Sequence, residues 1–474
     1  MAVTYDALVV GAGPNGLSAG IVLARAGLSV LIVERAGTLG GSARSESLTL
    51  PGFIHDVGAA VVPLAVSSPF FQSLPLHQHG LEFIFPPVAL AHPFDTGAVA
   101  TLVGSVSDTA RTLGRDGGTY EGLLGPLVRQ WPGLAHDLLS PLQWPRHPVD
   151  FVQFGIKGLL PATILARRFK TAEARAMLAG MAAHSFQPLT SATTAAIALV
   201  LMAAGHHQGW PVAQGGTQSI ANALGSYFKS LGGRIELNRQ VNDLSELPKA
   251  KAILFDLTPR QILRIAGDRF SGIYRKRLEN YRYGPGVFKV DWALNRPIPF
   301  LNAECQRAGT VHIGGSLEEI RQAEQMTADG YLPEKPFVLL AQPSRFDSSR
   351  SPAGKHTAWA YCHVPNGSLV DMTERIERQV ERFAPGFQDT ILARSTLNTA
   401  QVEHWNPNCI GGDINGGNMD WRQFLTRPIV SFNPYQTSDP NLYICSSSTP
   451  PGGGVHGMCG YNAARAALRG TFGQ

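Results

Sequence analysis

Tyr5-Asp6-Ala7-Leu8-Val9-Val10-Gly11-Ala12-Gly13-Pro14-Asn15-Gly16 is the stretch on which the fold turns. An apolar strand, Tyr5–Val10, runs into Gly11-x-Gly13-x-x-Gly16. A helix is expected from Pro14 to about Ala26, and a second strand, Ser29–Val33, closes on Glu34. Gly11 permits the tight turn out of the strand, Gly13 lets the backbone approach a phosphate, and Gly16 lets the helix sit close to the sheet. The helix start supplies free N–H groups and the positive end of a dipole. Glu34 lies 18 residues beyond Gly16, where an acid at the end of a second strand takes ribose hydroxyls. The pattern reads as dinucleotide binding. The competing reading is a glycine-rich turn in another α/β unit, and it leaves the strand, helix and acid unexplained.

Leu39-Gly40-Gly41-Ser42-Ala43-Arg44 selects the dinucleotide. A glycine pair just past the acid suits a loop returning under a pyrophosphate, with Arg44 available to neutralise it. That arrangement points to FAD, with Pro14, Asn15, Arg35 and Ser42 completing the two loops. Alone, the pair is only a turn, and its position gives it weight. Phe53-Ile54-His55-Asp56-Val57-Gly58-Ala59 follows, and Gly58 and Ala59 allow another close backbone approach. A structural role for the His55–Asp56 pair is favoured over a catalytic one.

The other end of the chain repeats the logic. Leu442–Cys445 is an apolar strand, followed by Ser446-Ser447-Ser448-Thr449-Pro450-Pro451-Gly452-Gly453-Gly454-Val455-His456-Gly457 and a helix from Met458 to about Leu468. A strand, a glycine run and a helix start form a second anion-accepting cradle, to which Ser447, Gly454, Val455, Gly457 and Met458 contribute. Between the ends, Gly215-Gly216-Thr217 precedes a helix with Thr217 as expected N-cap, stopped by Gly232-Gly233, then a strand at Arg234–Leu237. In FAD folds of this type such a helix–strand unit re-enters the first sheet beside the adenine, which is where Val241 is expected, and Ile253–Asp256 reads as a further buried strand.

The 474 residues exceed one ordinary core of about 150 residues. Two domains are expected, a discontinuous FAD-binding domain from 1–75, 210–285 and 425–474, and a substrate domain from 76–209 and 286–424. Apolar residues make up 44% and charged residues 16%, with a net charge of +5 and no Lys/Arg run, which argues against nucleic acid as a partner. The five cysteines form no CxxC pair, so neither a redox dithiol nor a metal site is expected. The first strand starts too early for a signal peptide, and the apolar run Ala192–Ala204 is shorter than the roughly 18 residues that cross a bilayer. A cytoplasmic protein is the expectation, and a homo-oligomer is compatible with it.

Phe151–Phe169 reads as one or two short helices carrying Phe151, Phe154, Ile156, Leu159, Leu160 and Ile164 before Arg167-Arg168. Three readings stay open: a wall for an apolar substrate, a patch making peripheral membrane contact, and ordinary core helices. Val287–Trp292 alternates as a half-buried strand, and Phe337–Ala341 and His356–His363 add strands to a second sheet. Met372–Phe383 reads as an amphipathic helix. The glycine- and asparagine-rich stretch 406–417 contains Asp413, whose carboxylate is either catalytic or a turn cap. His456, just before the last helix, faces either the cofactor or the substrate; with Asp413 it is the catalytic candidate, chosen from a polar set that also includes His55, Asp56 and His363.

With these residues in view, the chain resembles the phytoene desaturase-like flavoproteins within the wider glutathione-reductase and amine-oxidase-type FAD superfamily. The likeness rests on Gly11-x-Gly13-x-x-Gly16, Gly40-Gly41 with Arg44, Trp359-Ala360-Tyr361 to Asn366-Gly367, Gly411-Gly412-Asp413 and Thr449-Pro450-Pro451-Gly452-Gly453-Gly454. It implies an α/β fold with a Rossmann-type FAD-binding domain, an α+β substrate domain and hydride exchange through flavin N5. Ser42 stands where the superfamily often has arginine, so the pyrophosphate contact rests on Arg44. A non-covalent FAD and a largely apolar small molecule undergoing dehydrogenation, saturation or isomerisation are the expectation. An amine oxidase, with Trp359, Tyr361 and Trp405 as an aromatic pocket, and a non-catalytic flavin-containing regulatory protein are the alternatives.

Overall fold

The computed structural model describes residues 4–474. Its first sheet is five-stranded and wholly parallel, in the order Leu442–Ile444, Ala250–Phe255, Tyr5–Val10, Val30–Val33, Arg234–Glu236. Ala7, Leu8, Val9, Leu31 and Ile32 are fully buried, as strands covered by helices on both faces require. Val10 pairs with Val33 and Phe255, and Phe255 with Ile444, so four strands end level. The next residue of each, Gly11, Glu34, Asp256 and Cys445, lies along the sheet edge where open α/β sheets bind ligands.

The helix Pro14–Arg25 crosses this sheet between the helices Gln218–Ser230 and Met458–Gly470. A Cβ on Gly460 would stand 1.8 Å from the Asn15 carbonyl oxygen, so glycine brings the first turns of the first and last helices together. Thr217 does not cap its helix through its side chain. Its hydroxyl bonds Asp56 and the Ala59 carbonyl instead, fastening the 55–59 segment.

The second sheet has seven strands in the order Ile391–Leu397, Gly286–Leu294, His356–Val364, Val338–Ala341, Ala308–Ile313, Val88–Pro93, Val99–Leu102. Gly286–Leu294 is an interior strand, buried along its whole length, where the alternation predicts a half-buried strand. Phe288, Val290 and Trp292 pack toward the helix Thr373–Phe383, while Val287 joins the opposite core with Trp359 and Tyr361. Lys289 and Asp291 on that second face are buried as a pair and do not meet water. Helices Gly117–Leu138, Ala172–Ala183 and Thr194–Gln208 cover that face. The 151–169 stretch forms Pro148–Gly158 and Ala162–Leu165, which meet at a sharp bend.

Candidate functional site

The glycine turn has the local chemistry of an anion cradle. Gly13 is the N-cap of the first helix and offers no side-chain cap, and Pro14 follows at the position where a missing N–H costs nothing. A Cβ on Gly41 would stand 3.1 Å from the Gly13 Cα, so the two glycine loops approach as closely as backbones can. Asn15 Oδ1 is buried in the first turn without a hydrogen-bond partner. Glu34 accepts from the Ala12 and Ala36 amides at 2.8 Å each, and each carboxylate oxygen keeps a lone pair for a ribose hydroxyl. Val241 lies in the core on the flank of this edge, where the Arg239 amide donates to the Glu34 carbonyl at 2.8 Å.

Gly40, Gly41, Ser42 and Arg44 form the second layer. Arg44 is buried, donates to the Gly41 and Trp405 carbonyls at 3.1 and 3.2 Å, and lies 4.1 Å from the centre of the Trp405 ring. Arg35 donates to the His404 and Trp405 carbonyls. Trp405 therefore packs on the dinucleotide loops. Asn406 donates to the Ser42 hydroxyl at 2.7 Å, and a cleft of about 580 Å³ opens beside Arg35, Gln401 and Trp405. Gly58 and Ala59 sit directly on Ser42, whose carbonyl accepts from the Ala59 amide at 3.0 Å.

The C-terminal loop reaches the same place. A Cβ on Gly457 would be 2.2 Å from the Ser18 hydroxyl, a Cβ on Gly454 would be 3.0 Å from Leu64, and Ser447 lies against Gly416. Val455 and Met458 join the core of the first helix. The N-termini of the first and last helices are thus neighbours, although more than four hundred residues separate them. The residues present fit a dinucleotide: two helix starts with glycine at the N-cap, glycine walls, an unpartnered amide oxygen and an acid at the ribose end.

The two catalytic candidates take structural positions. Asp413 is fully buried, and its two oxygens accept from the Gly284 and Asn415 amides at 2.8 and 2.7 Å, so it ties the glycine loop. His456 accepts from the Met458 amide through Nδ1 at 3.0 Å, and burial pulls its pKa down to about 4. As a neutral imidazole it closes the start of the last helix. Asp56 binds Arg350 at 2.8 Å, Ser45 and the Thr217 amide. His55 is pulled down to about 3 by burial and by Lys289 and Arg350, and His363 holds Glu324 at 2.8 Å.

Several residues escape sequence reasoning. Asp256 is fully buried behind the glycine turn, and its carboxylate accepts from the Gly16 amide at 2.9 Å. Burial, with Glu34 nearby, pushes it up to about 7. Asn408 donates to the Asp256 carbonyl at 3.0 Å and accepts from the Thr258 amide at 2.9 Å. Arg427 donates to the Ser447 carbonyl at 3.1 Å and supports the last glycine run. Lys289 and Asp291 face Trp359, with the ammonium 5.8 Å from its ring centre. Burial drives both toward their neutral forms, lowering Lys289 and raising Asp291 to about 6.

Comparison with known proteins agrees with this geometry. The family described as an NAD(P)-binding Rossmann-like domain matches residues 9–74. Pyridine nucleotide-disulfide oxidoreductase domain-containing protein 2 of Mus musculus is 25% identical, over 98% of this chain and 93% of its own length. The phytoene desaturase (lycopene-forming) of a Paracoccus species is 21% identical, over 98% of this chain and 96% of its own. The chain is thus similar to these oxidoreductases along nearly its whole length. A putrescine oxidase double mutant of known structure shares the fold at a TM-score of 0.63 and 16% identity, covering 100% of both chains. The fold thus combines a Rossmann-type domain with a mixed α/β partner. All five cysteines are free and buried.

Proposed function

We propose that the chain is an FAD-dependent oxidoreductase that transfers hydride to or from a largely apolar small molecule. The observation that carries this reading is the convergence of two glycine-capped helix N-termini at one sheet edge, beside a buried wall of apolar and aromatic side chains. When bound, FAD supplies the two-electron chemistry. Gly11, Gly13, Gly16, Gly41 and Asn15 hold the phosphates, Glu34 the ribose, and Gly58, Gly454 and Val455 line the approach toward the second sheet. Trp359 and Tyr361, rings 5.1 Å apart and edge to face, shield that side from water. Lys289 and Asp291 place a proton-holding pair on the same wall. Two acids of this wall are paired with bases, Asp291 through Oδ2 with Lys289 and Glu324 with His363, which favours an apolar substrate over an ammonium one.

Attachment of the cofactor is non-covalent in this reading. Cys459 is fully buried, its thiol donates to the Thr449 and Gly452 carbonyls, and burial pushes it up to about 12, so it is a packing residue and not a nucleophile. Acid precipitation should release the yellow colour, and colour kept in the pellet would contradict this. The test of the function is anaerobic titration of the purified flavoprotein. Bleaching by a polyene or enone is expected. Bleaching by amines alone would point to an amine oxidase, and none with either to a non-catalytic flavin protein.

A further inference from the structure

Between Leu142 and Ile164 the chain leaves an unusual amount of apolar surface in water. Trp144 is 86% exposed and Ile156 68%, and Val149, Val152, Leu159 and Ile164 are exposed as well. On the helix Pro148–Gly158 the exposed Val149, Val152 and Ile156 recur at three- and four-residue spacing and form one stripe. The other seam is buried: Phe154 is in the core, and a Cβ on Gly158 would lie 3.3 Å from Ala196 of the covering helix. This helix is therefore apolar toward the protein and toward solvent, which its own fold does not require. Scattered apolar residues on a surface are ordinary, but a contiguous stripe marks a contact.

The charges around the stripe are of one sign. Arg146, Lys157, Arg167, Arg168 and Lys170 surround it, and the sole acid from 140 to 172 is Asp150, which accepts from Gln130 at 2.7 Å. None of the five cations forms an ion pair among the described residues. Arg168 lies near enough to Lys157 to oppose its charge, adding to the effect of its partial burial. The helices meet at 93° and neither is long enough to cross a bilayer, so the corner suits an in-plane position with Trp144 at headgroup depth.

We propose that the corner made by Pro148–Gly158 and Ala162–Leu165 docks into the interfacial layer of an anionic lipid bilayer, from which the apolar substrate enters. The substrate half of this inference rests on the function proposed above. Behind the stripe, Phe154 belongs to the same continuous core as Leu199, Trp359 and Tyr361, with Leu64 of the C-terminal loop's neighbourhood packed against it. The buried side of the stripe and the proposed substrate wall are therefore parts of one apolar core. Charge also argues against a second copy as the occupant, since a two-fold contact would set Arg167 and Arg168 against their own counterparts.

Flotation of the flavin-loaded protein with lipid vesicles tests the docking. It should rise with vesicles of phosphatidylcholine and phosphatidylglycerol, and much less with phosphatidylcholine alone. Val152→Glu with Ile156→Glu should abolish flotation while melting temperature and flavin content stay at parental values, because both side chains are exposed. Arg167→Glu with Arg168→Glu should cost at least about tenfold in binding to the anionic vesicles, and little to neutral ones. A parent that stays unbound to both vesicle types, or a double glutamate variant that floats like the parent, overturns the proposal. So does a parent that runs as a dimer which the glutamate pair dissociates without any vesicle binding. Anaerobic reduction by a detergent-dispersed polyene, measured on the same proteins, separates the two layers. Intact reduction without flotation removes only the docking, and flotation without reduction removes only the apolar-substrate reading.

Discussion

Asp256 and Gly13 show how individual residues set the behaviour of the cofactor cradle. Asp256 holds the Gly16 amide from behind the turn, in full burial, and is pushed up to about 7 by desolvation and by Glu34. An unfolded aspartate releases its proton near pH 4, roughly three pH units lower. Between those values the native state binds more protons than the unfolded chain, so this residue's contribution to stability falls as pH rises and levels off above about 7. The neutral acid also suits its place, since an ionised carboxylate would repel a pyrophosphate at the same helix start. Asp256→Asn keeps an oxygen for the Gly16 amide and removes the titration. Its melting temperature should therefore decline less than the parent's from about pH 5 to about pH 8, and a slope equal to the parent's would remove Asp256 as the cause. Gly13 acts sterically. A Cβ there would stand 2.6 Å from the Asp256 carboxylate and 3.9 Å from Gly41, between the two loops. Gly13→Val should purify without bound flavin, and full occupancy would show that the phosphates lie elsewhere.

The strand Gly286–Leu294 carries its charges where an edge strand cannot, because it is hydrogen-bonded to His356–Val364 on one side and Ile391–Leu397 on the other. Lys289 and Asp291, two residues apart on one face, meet each other and the buried ring of Trp359, and Asp291 also stands 3.6 Å from His55 Nδ1. Removing one partner of such a pair leaves an uncompensated group and typically costs about 3–5 kcal/mol, whereas replacing both by apolar residues is often neutral. Lys289→Met should therefore lower the melting temperature markedly, and Lys289→Met with Asp291→Leu should recover most of the loss. Additive losses in the double variant would show that the two do not act as a pair. This element also shows where sequence reading runs out. Alternation identifies a strand but not its neighbours, so charges meant for burial look like charges meant for water. The glycine turn was legible for the opposite reason: its backbone geometry restricts residue type at fixed spacing, and Glu34 follows from the length of one strand–helix–strand unit. For Asp413 and His456 the sequence is silent on direction, because a side chain that bonds nearby amides, as both do, has the same local sequence as one aimed at a ligand.

At the scale of the molecule, the dinucleotide edge is closed by a loop that comes from the other half of the chain. Residues 404–418 accept hydrogen bonds from Arg35 and Arg44, reach Ser42 through Asn406, and meet the end of the strand Ala250–Phe255 through Asn408. The first sheet and the loop after Trp405 are therefore held by the same contacts that shape the cradle, and no local pattern announces this because every partner is more than a hundred residues away. Asn408 is the most direct link, since one side chain satisfies the Thr258 amide and the Asp256 carbonyl together. Leaving a buried backbone group unpaired costs about 1–3 kcal/mol. Asn408→Ala should lower the melting temperature by an amount of that order and raise the rate at which flavin is lost on dilution, because the loop over Arg44 and the turn beside Asp256 loosen together. Asn408→Asp keeps the acceptor for Thr258 but replaces the donor to the Asp256 carbonyl with a charge near Asp256 and Glu34, so it should release flavin faster than the alanine variant, the more so as pH rises. If both variants kept flavin as the parent does, the loop would be a passive cover, and the cradle would be complete within the first sheet and its helices.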